Sequence, residues 1–354
     1  MQYLRLILLP FSWLYGLIII FRNIAYDKGW FASRRFRIPV VSVGNLAVGG
    51  AGKSPLTEYI IRLLKDHVRV AVLSRGYGRS TKGFRYVSTQ DTADLSGDEP
   101  LQFRRKFDQI TVAVSEKRVT GIEHLQEDHD VVILDDAYQH RAVNPGLSLL
   151  LFDYTALSNF RLLLPAGNMR EPFAGRKRAD VLVVTKTPEI LPQDERSRLI
   201  SKLSPFPYQK VFFSYLDYGN LVPVYSGEEV ALSEALKSQF MIFLLTGIAN
   251  PRPLVHKLES GGGEIKHYDY PDHHPFSPKN ISKLAQDFRQ EKMAAKVIVT
   301  TEKDAQRLRS DSLAELLSGL PVYYLPVQAR IHEPDKENFD HLIEKYVSEH
   351  LQHG

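Results

Sequence analysis

The sequence predicts an α/β fold: a P-loop NTPase-like parallel-sheet domain, a smaller second α/β domain joined to it by a two-stranded β-ribbon linker, and a membrane-associated helix at the N-terminus. Three observations predict it. Short β-branched runs alternate with helical segments, the pattern of a parallel sheet covered on both faces. A glycine-rich loop ending in Lys53-Ser54 separates the first such run from a helix. The chain opens on an apolar, basic stretch unlike anything after it.

That stretch comes first. Leu6 to Phe21 is sixteen residues without a charge, interrupted by Pro10. As a helix it would cover about 24 Å at ~1.5 Å per residue, short of the ~30 Å hydrocarbon core. Trp13, Tyr15, Tyr26 and Trp30 are amphipathic rings of the kind that settle at the headgroup level. Residues 1–37 hold Arg5, Arg22, Lys28, Arg34, Arg35 and Arg37 against Asp27 alone, a net of +5 in a chain whose total is +4. A basic excess confined to one end suits an anionic surface and argues against a general nucleic-acid surface. The thin basic start and the lack of a small-x-small site after Phe21 disfavour a signal peptide. A buried packing helix is the bland alternative. The expectation is a membrane-associated segment over 1–35 that dips into the interface or forms a short anchor.

The first domain is expected over 36–203. Ile38–Val43 reads as a buried strand, followed by the glycine loop and a helix near Pro55–Lys65. Val68–Leu73 is the next strand, then a helix from Glu99 to Lys106, a strand at Ile110–Val114 and a helix from Lys117 to Glu127. Val131–Leu134, Leu147–Phe152 and Val181–Val184 complete the apolar runs. Over 204–228 two aromatic or β-branched runs flank Tyr218-Gly219-Asn220, which reads as a hairpin and a two-stranded linker. The second domain is expected over 229–354, with strands at Met241–Leu245, Val297–Thr300 and Val322–Leu325.

Composition is ordinary for a globular chain of 354 residues, too long for one compact core. The absence of cysteine excludes disulfides, thiolate catalysis and Cys-ligated zinc or iron–sulfur sites.

The loop Val43-Gly44-Asn45-Leu46-Ala47-Val48-Gly49-Gly50-Ala51-Gly52-Lys53-Ser54 carries the strongest chemistry. Backbone N–H groups over Ala47, Val48, Gly49, Gly50, Ala51 and Gly52 can curl around the phosphates of ATP. Lys53 can reach the β- and γ-phosphates, and the Ser54 hydroxyl can ligand Mg²⁺. Ala47 stands where the strict pattern has glycine. Val131–Leu134 ends in Asp135-Asp136, so either carboxylate can face Mg²⁺ at the strand's C-terminal edge. Four more clusters fall in loops: Ser74–Arg79, Gly97–Pro100, Leu164–Pro172 and Asp272–Phe276. Singly, each also reads as a glycine turn, an acidic helix cap or a solvated basic loop. An Asp-His-His run suggests a metal site, but no further ligand has matching spacing.

Taken in order, these motifs resemble the lipid A 4′-kinase (tetraacyldisaccharide 4′-kinase) family. The resemblance rests on Ser12–Gly16, Val43–Leu46, Gly49–Pro55, Ser74–Gly78, Gly97–Pro100, Asp135–His140, Leu164–Gly167, Arg170-Glu171, Asp272–His274 and Thr301–Ala305. Ala137, Tyr138 and Asn168 depart from the family's usual residues. The resemblance implies transfer of the γ-phosphate of MgATP to the 4′-hydroxyl of an acylated glucosamine disaccharide 1-phosphate, by an enzyme on the cytosolic face of the inner membrane. It implies that Asp98 accepts the hydroxyl proton, with His273 or His274 as its partner. Lys53 would act in catalysis, and Arg75, Tyr77, Arg118, Gln139, His140, Arg170 and Glu171 would contact the substrate. The alternatives are a kinase for another lipid-linked sugar, or a P-loop switch or metallochaperone. The second would need a purine-selecting N-K-x-D-like element or a Cys/His metal run, and Thr185-Lys186 lacks the following Asp.

Overall fold

The computed structural model describes residues 7–158, 161–236, 240–333 and 335–353. Arg5 and Leu6, at the start of the apolar stretch, lie outside them. The chain builds β1 (Val40–Asn45), β2 (Val70–Ser74), β3 (Arg85–Tyr86), β4 (Thr111–Val114), β5 (Val131–Asp135), β6 (Leu147–Asp153), β7 (Val181–Thr185) and β8 (Lys210–Tyr218). It then crosses to a second lobe containing β9 (Val222–Pro223), β10 (Met241–Thr246), β11 (Glu264–Asp269), β12 (Lys296–Thr301) and β13 (Val322–Leu325). It returns through β14 (Val327–Ile331) and the C-terminal helix Lys336–His353.

The first sheet has the order β14-β8-β7-β6-β1-β5-β2-β4-β3. Its body is parallel, with β3 and β14 antiparallel at the edges. Strands β1, β2, β5 and β7 are buried along their whole length, as their continuous apolar runs require. Successive crossovers leave β1 to opposite sides, with β5 on one flank and β6 on the other. A crevice opens at such a switch point, beyond the C-terminal ends of the strands. Val43 pairs with Asp135 across β1 and β5, which sets the glycine loop beside the two carboxylates. The second sheet, β11-β10-β12-β13-β9, is parallel except for β9.

Two expectations about organisation need correction. Residues 229–354 are not one domain. The C-terminal helix buries Phe339, Ile343 and Val347 in the first lobe's core, and Val40 N donates to Tyr346 Oη at 3.0 Å. At about 1.5–3 kcal/mol per fully buried apolar side chain, this last helix is a major part of the first lobe's stability. Nor do the runs flanking Gly219 pair as a hairpin. β8 joins β7 and β14 in the first sheet, while β9 joins the second. The ribbon between the lobes is β8 with β14, strands more than a hundred residues apart.

The N-terminal helix Leu9–Asp27 is amphipathic in an unusual sense. Its small and polar side chains face the protein. Ser12 Oγ donates to Leu163 O (3.0 Å), Tyr15 Oη to Arg170 O (2.7 Å) and Asn23 to Glu171 (3.2 Å). Trp13, Leu14, Leu17, Ile18 and Phe21 are exposed, Trp13 at 73%. The helix is therefore neither a buried packing helix nor a free arm. It is long and apolar enough to cross a membrane by length and composition, yet a narrow stripe docks it on the first lobe.

Candidate active site

The glycine loop turns from β1 into the helix Lys53–Leu64 through Gly52, at φ 78°, with Gly49 at φ 107°. Both are left-handed conformations that favour glycine. Ala47 needs no such freedom, because it forms a bridge with Met169. Val48 N donates to Asn168 O at 2.8 Å, and Arg170 N to Leu46 O at 2.7 Å. Of the expected phosphate-binding residues, Ala47 and Val48 thus brace the loop against 168–170, and the Val48 amide is already used. Gly49 through Ser54 form the turn itself. Thr185 Oγ1 donates to Ala51 O (2.8 Å), Lys186 bonds Gly50 O, and Lys186 pairs with Asp153 (3.0 Å).

Lys53 Nζ lies 3.2 Å from Asn45 Oδ1 and 3.7 Å from Asp136. Asp135 is buried at the end of β5, within 3.4 Å of the Thr57 and Ser74 hydroxyls. Burial, then the charges of Asp136 and Glu99, push its carboxyl up to about 7. Asp136, at φ 47°, turns the other way. Burial would raise it too, but Lys53 and Arg170, the latter at 3.0 Å, outweigh that and hold it below the usual range. Arg118 is buried beside them. Burial pulls its guanidinium down to about 10, still charged at neutral pH, and its Nε has no partner. Burial, with Arg118 and Arg75, pushes His140 down to about 4, and its Nε2 accepts from Arg118 N at 3.3 Å.

These residues suit a nucleotide with Mg²⁺. A buried guanidinium nitrogen without a partner, three cationic side chains around a left-handed glycine turn, and a carboxyl driven to about 7 beside an ionised one describe a site short of an anion and a divalent cation. Ser54, Asp135 and Asp136 would hold the metal. On the loop's other side a cavity of about 840 Å³ is lined by Ala47–Ala51, Phe152 and Asp153, and by Pro251, Arg252 and His256 from the second lobe.

The third part comes from both lobes. Gly97, at φ 90°, is the cap of the helix Asp98–Lys106, so Asp98 is not the cap itself and makes no capping bond. A Cβ on Gly97 would come 3.1 Å from the Gly76 backbone, so the loop carrying Tyr77 can lie directly on the helix start. From the second lobe His273, at φ 58°, sends Nδ1 to Asp98 Oδ2 at 3.0 Å and packs its ring 4.9 Å from Tyr77. His274 instead stacks on Tyr270 and bonds Asn280 (3.2 Å). His273 is therefore the partner of Asp98. The helix Glu302–Leu308, capped by Thr301 accepting from Asp304 N (3.0 Å), completes the cluster. Arg307 Nε lies 3.0 and 3.1 Å from the two Asp98 oxygens, and its Nη2 also bonds that carboxylate. Burial would raise Asp98, but bonds from His273 and Arg307 outweigh it and hold the carboxyl at about 2. Lys303 Nζ lies 2.9 Å from Glu99, 3.0 Å from His273 Nε2 and 3.3 Å from Asp272. Among the described residues, Asp98, Glu99 and His273 are the one grouping with metal-chelating geometry, but the Lys303 ammonium already bonds Glu99 and His273.

The other expected substrate contacts divide. Arg75 and Tyr77 are exposed at the crevice. Arg170 bonds Asp136, and Gln139 donates to Asn45 O at 2.8 Å. Glu171 corrects the expectation. It is fully buried, takes two 2.9 Å bonds from Arg178, and accepts from Gln139 and from Asn23 of the N-terminal helix. It is a structural clamp and has no face for substrate. Sequence reasoning missed Lys303 and Arg307. The Thr301–Ala305 motif contains Lys303 but stops short of Arg307, and only the fold shows which way that helix faces.

A family model described as Tetraacyldisaccharide-1-P 4′-kinase matches residues 4–348. The tetraacyldisaccharide 4′-kinase of Bacteroides thetaiotaomicron is 41% identical, over 98% of this chain and 94% of that one. That of Flavobacterium johnsoniae is 41% identical, over 99% and 100%. The crystal structure of LpxK from Aquifex aeolicus in complex with ATP superposes with a TM-score of 0.73 at 32% identity, covering 97% of this chain and 99% of that one. With the sequence and the fold matched over nearly the whole chain, it belongs to the tetraacyldisaccharide 4′-kinase family.

Proposed function

We propose that this chain transfers the γ-phosphate of ATP to the 4′-hydroxyl of a tetraacyldisaccharide 1-phosphate, forming the bis-phosphorylated lipid A precursor at the cytosolic face of the inner membrane. The observation that carries the reading is the Asp98–His273 pair. It is closed across two lobes, with Glu99 near enough to raise Asp135, so an acid–base pair adjoins the nucleotide end of the crevice. An anionic membrane surface as partner is supported by the exposed apolar side of the N-terminal helix and the basic residues around it.

Within the pair the carboxylate is the proton acceptor, the role the resemblance implies, and the imidazole is its partner. Arg307 and His273 hold the Asp98 carboxyl low, so it is ionised and carries no proton of its own at neutral pH. It takes the hydroxyl proton, while His273, 3.0 Å away through Nδ1, orients it from the second lobe. As the 4′-oxygen bonds to the γ-phosphorus, the bond to the β–γ bridging oxygen breaks and its electron pair leaves with ADP. Lys53, Arg118 and Arg170 neutralise the charge that develops, which is most of what a loose phosphoryl transition state needs. Magnesium, when bound, supplies further neutralisation at the phosphate oxygens.

Incubation with radiolabelled ATP and a panel of acceptors tests this: tetraacyldisaccharide 1-phosphate, its 4′-deoxy analogue and other lipid-linked sugars, with Lys53→Ala as control. Label on the first alone is expected. Equal labelling of the 4′-deoxy analogue, or turnover of ATP without acceptor labelling, would overturn it.

A further inference from the structure

Thr185-Lys186 lacks the Asp that would let it read a purine, yet both residues reach the glycine loop. They stand at the C-terminal end of β7, where Thr185 pairs with Asp153 of β6. Thr185 Oγ1 donates to Ala51 O at 2.8 Å. Lys186 Nζ donates to Gly50 O and to Asp153 Oδ2, the latter at 3.0 Å. Two successive carbonyls of the loop are thus drawn toward β7. In a trans peptide the carbonyl and the following N–H point opposite ways. The amides of Ala51 and Gly52 are therefore turned away from β7, and the Ala51 amide meets Gly49 O at 3.0 Å.

Nothing inside the loop enforces this. Gly49 and Gly50 accept either hand of backbone, and Gly49 already stands at φ 107°. If the peptide plane between Gly50 and Ala51 rotated, the Gly50 carbonyl would present partial negative charge to the phosphates. Thr185 holds only the next plane, so the restraint on Gly50 is Lys186. The lysine is itself built in. Its backbone is left-handed, at φ 57°, which side chains other than glycine, asparagine and aspartate seldom adopt. Its side chain is only 11% exposed. Asp153 is fixed in turn, because its Oδ1 accepts from Thr155 N (2.9 Å) and Thr155 Oγ1 (2.6 Å). Burial would raise the Asp153 carboxyl, but Lys186 and the Thr155 bonds outweigh it and hold it below its usual range.

We propose that Lys186, anchored by Asp153, is a positioning residue for ATP: it holds the Gly50 carbonyl away from the phosphates, so that the loop offers them amides. Its charge is matched by Asp153, so it is not a further phosphate cation like Lys53. A plain ion pair between two loops would use Asp153 and have no need of Gly50 O. The inference concerns how the loop holds the nucleotide and is independent of which hydroxyl accepts the phosphate.

The test is calorimetric titration of the full chain with MgATP and MgADP, without acceptor, at a temperature where thermal unfolding shows each variant folded. In Lys186→Met the nucleotide itself must order the glycine pair, and fixing one freed residue corresponds to about a tenfold loss of affinity or more, for both nucleotides. Lys186→Arg keeps the charge and the donors and should recover affinity to within about threefold. Asp153→Asn should weaken binding in the same direction, and the double variant should be little worse than Lys186→Met alone, because the two act as one unit. If Lys186→Met does not fold, Lys186→Gln, one bond too short for Gly50 O, carries the same expectation. A folded neutral variant that melts lower but binds ATP within twofold of wild type would reduce Lys186 to a plain ion pair and overturn the proposal. Tighter binding by Asp153→Asn would also overturn it, since a released lysine would then be meeting phosphate directly. Unchanged affinity in Lys53→Ala would instead overturn the glycine loop as the nucleotide site.

Discussion

Replacing Asp98 with asparagine removes one charge and almost no volume, so its consequences can be worked from the structure. The carboxyl is held at about 2, against an ordinary 3.8. At ~1.36 kcal/mol per unit, that difference is about 2 kcal/mol of folding stability. The side chain is only 8% exposed, so solvent screening removes little of it. The sign follows from the depressed folded-state value. The contribution is fully present above the unfolded-state value near 4 and is lost as pH falls through about 2. Urea unfolding of both proteins should therefore show Asp98→Asn weaker by about 2 kcal/mol at pH 7, or more because Arg307 is left facing a neutral amide. The gap should be flat from pH 7 to 5 and should close between pH 4 and 2. In the same variant kcat should fall about 10²-fold or more, since the proposed acceptor of the hydroxyl proton is lost, while ATP affinity stays within about twofold. A stability gap independent of pH down to 3, or a kcat within threefold of wild type, would refute the reasoning.

Three further outcomes are expected. Because Asp135 is driven up to about 7, it must shed a proton to ligand a metal; Mg²⁺-dependent nucleotide affinity should weaken as pH falls from 8 to 6, by up to about tenfold per unit below 7, and a flat titration would remove Asp135 from the metal site. Leu17→Glu with Phe21→Glu, on the exposed side of the N-terminal helix, should reduce co-sedimentation with anionic vesicles and raise KM for micellar acceptor, with ATP binding unchanged. Deleting residues 1–30 is a poorer test, because it also removes the Tyr15 and Asn23 bonds to Arg170 and Glu171. Glu171→Ala should leave Arg178 buried without its partner and cost about 3–5 kcal/mol, read as a lowered melting temperature; unchanged stability with a raised KM would restore it as a substrate contact.

The sequence by itself determined what is local. A buried parallel strand is a continuous apolar run, and a phosphate loop is a string of glycines closed by Lys53-Ser54, so both are legible without neighbours. Asp135-Asp136 could be read for the same reason, at the end of such a run. The polar alternation of β11 and the Gln328 and Arg330 of β14 hid two edge strands, because a strand with a wet side carries a weaker signal. Tertiary structure alone decided everything that depends on two distant segments meeting. It returned the C-terminal helix to the first lobe, paired β8 with β14, and turned Glu171 inward onto Arg178. It separated His273 from His274 by a left-handed backbone, and Asp135 from Asp136 likewise. Above all it set Arg307 and Lys303 on either side of the Asp98–His273 pair, about two hundred residues along the chain from Asp98. Charge and hydrogen bonding act across a few ångströms of space, and the chain's order says nothing about which charges will be that close. The candidate site residues could thus be named from sequence, but which of them stand within bonding distance of one another could not.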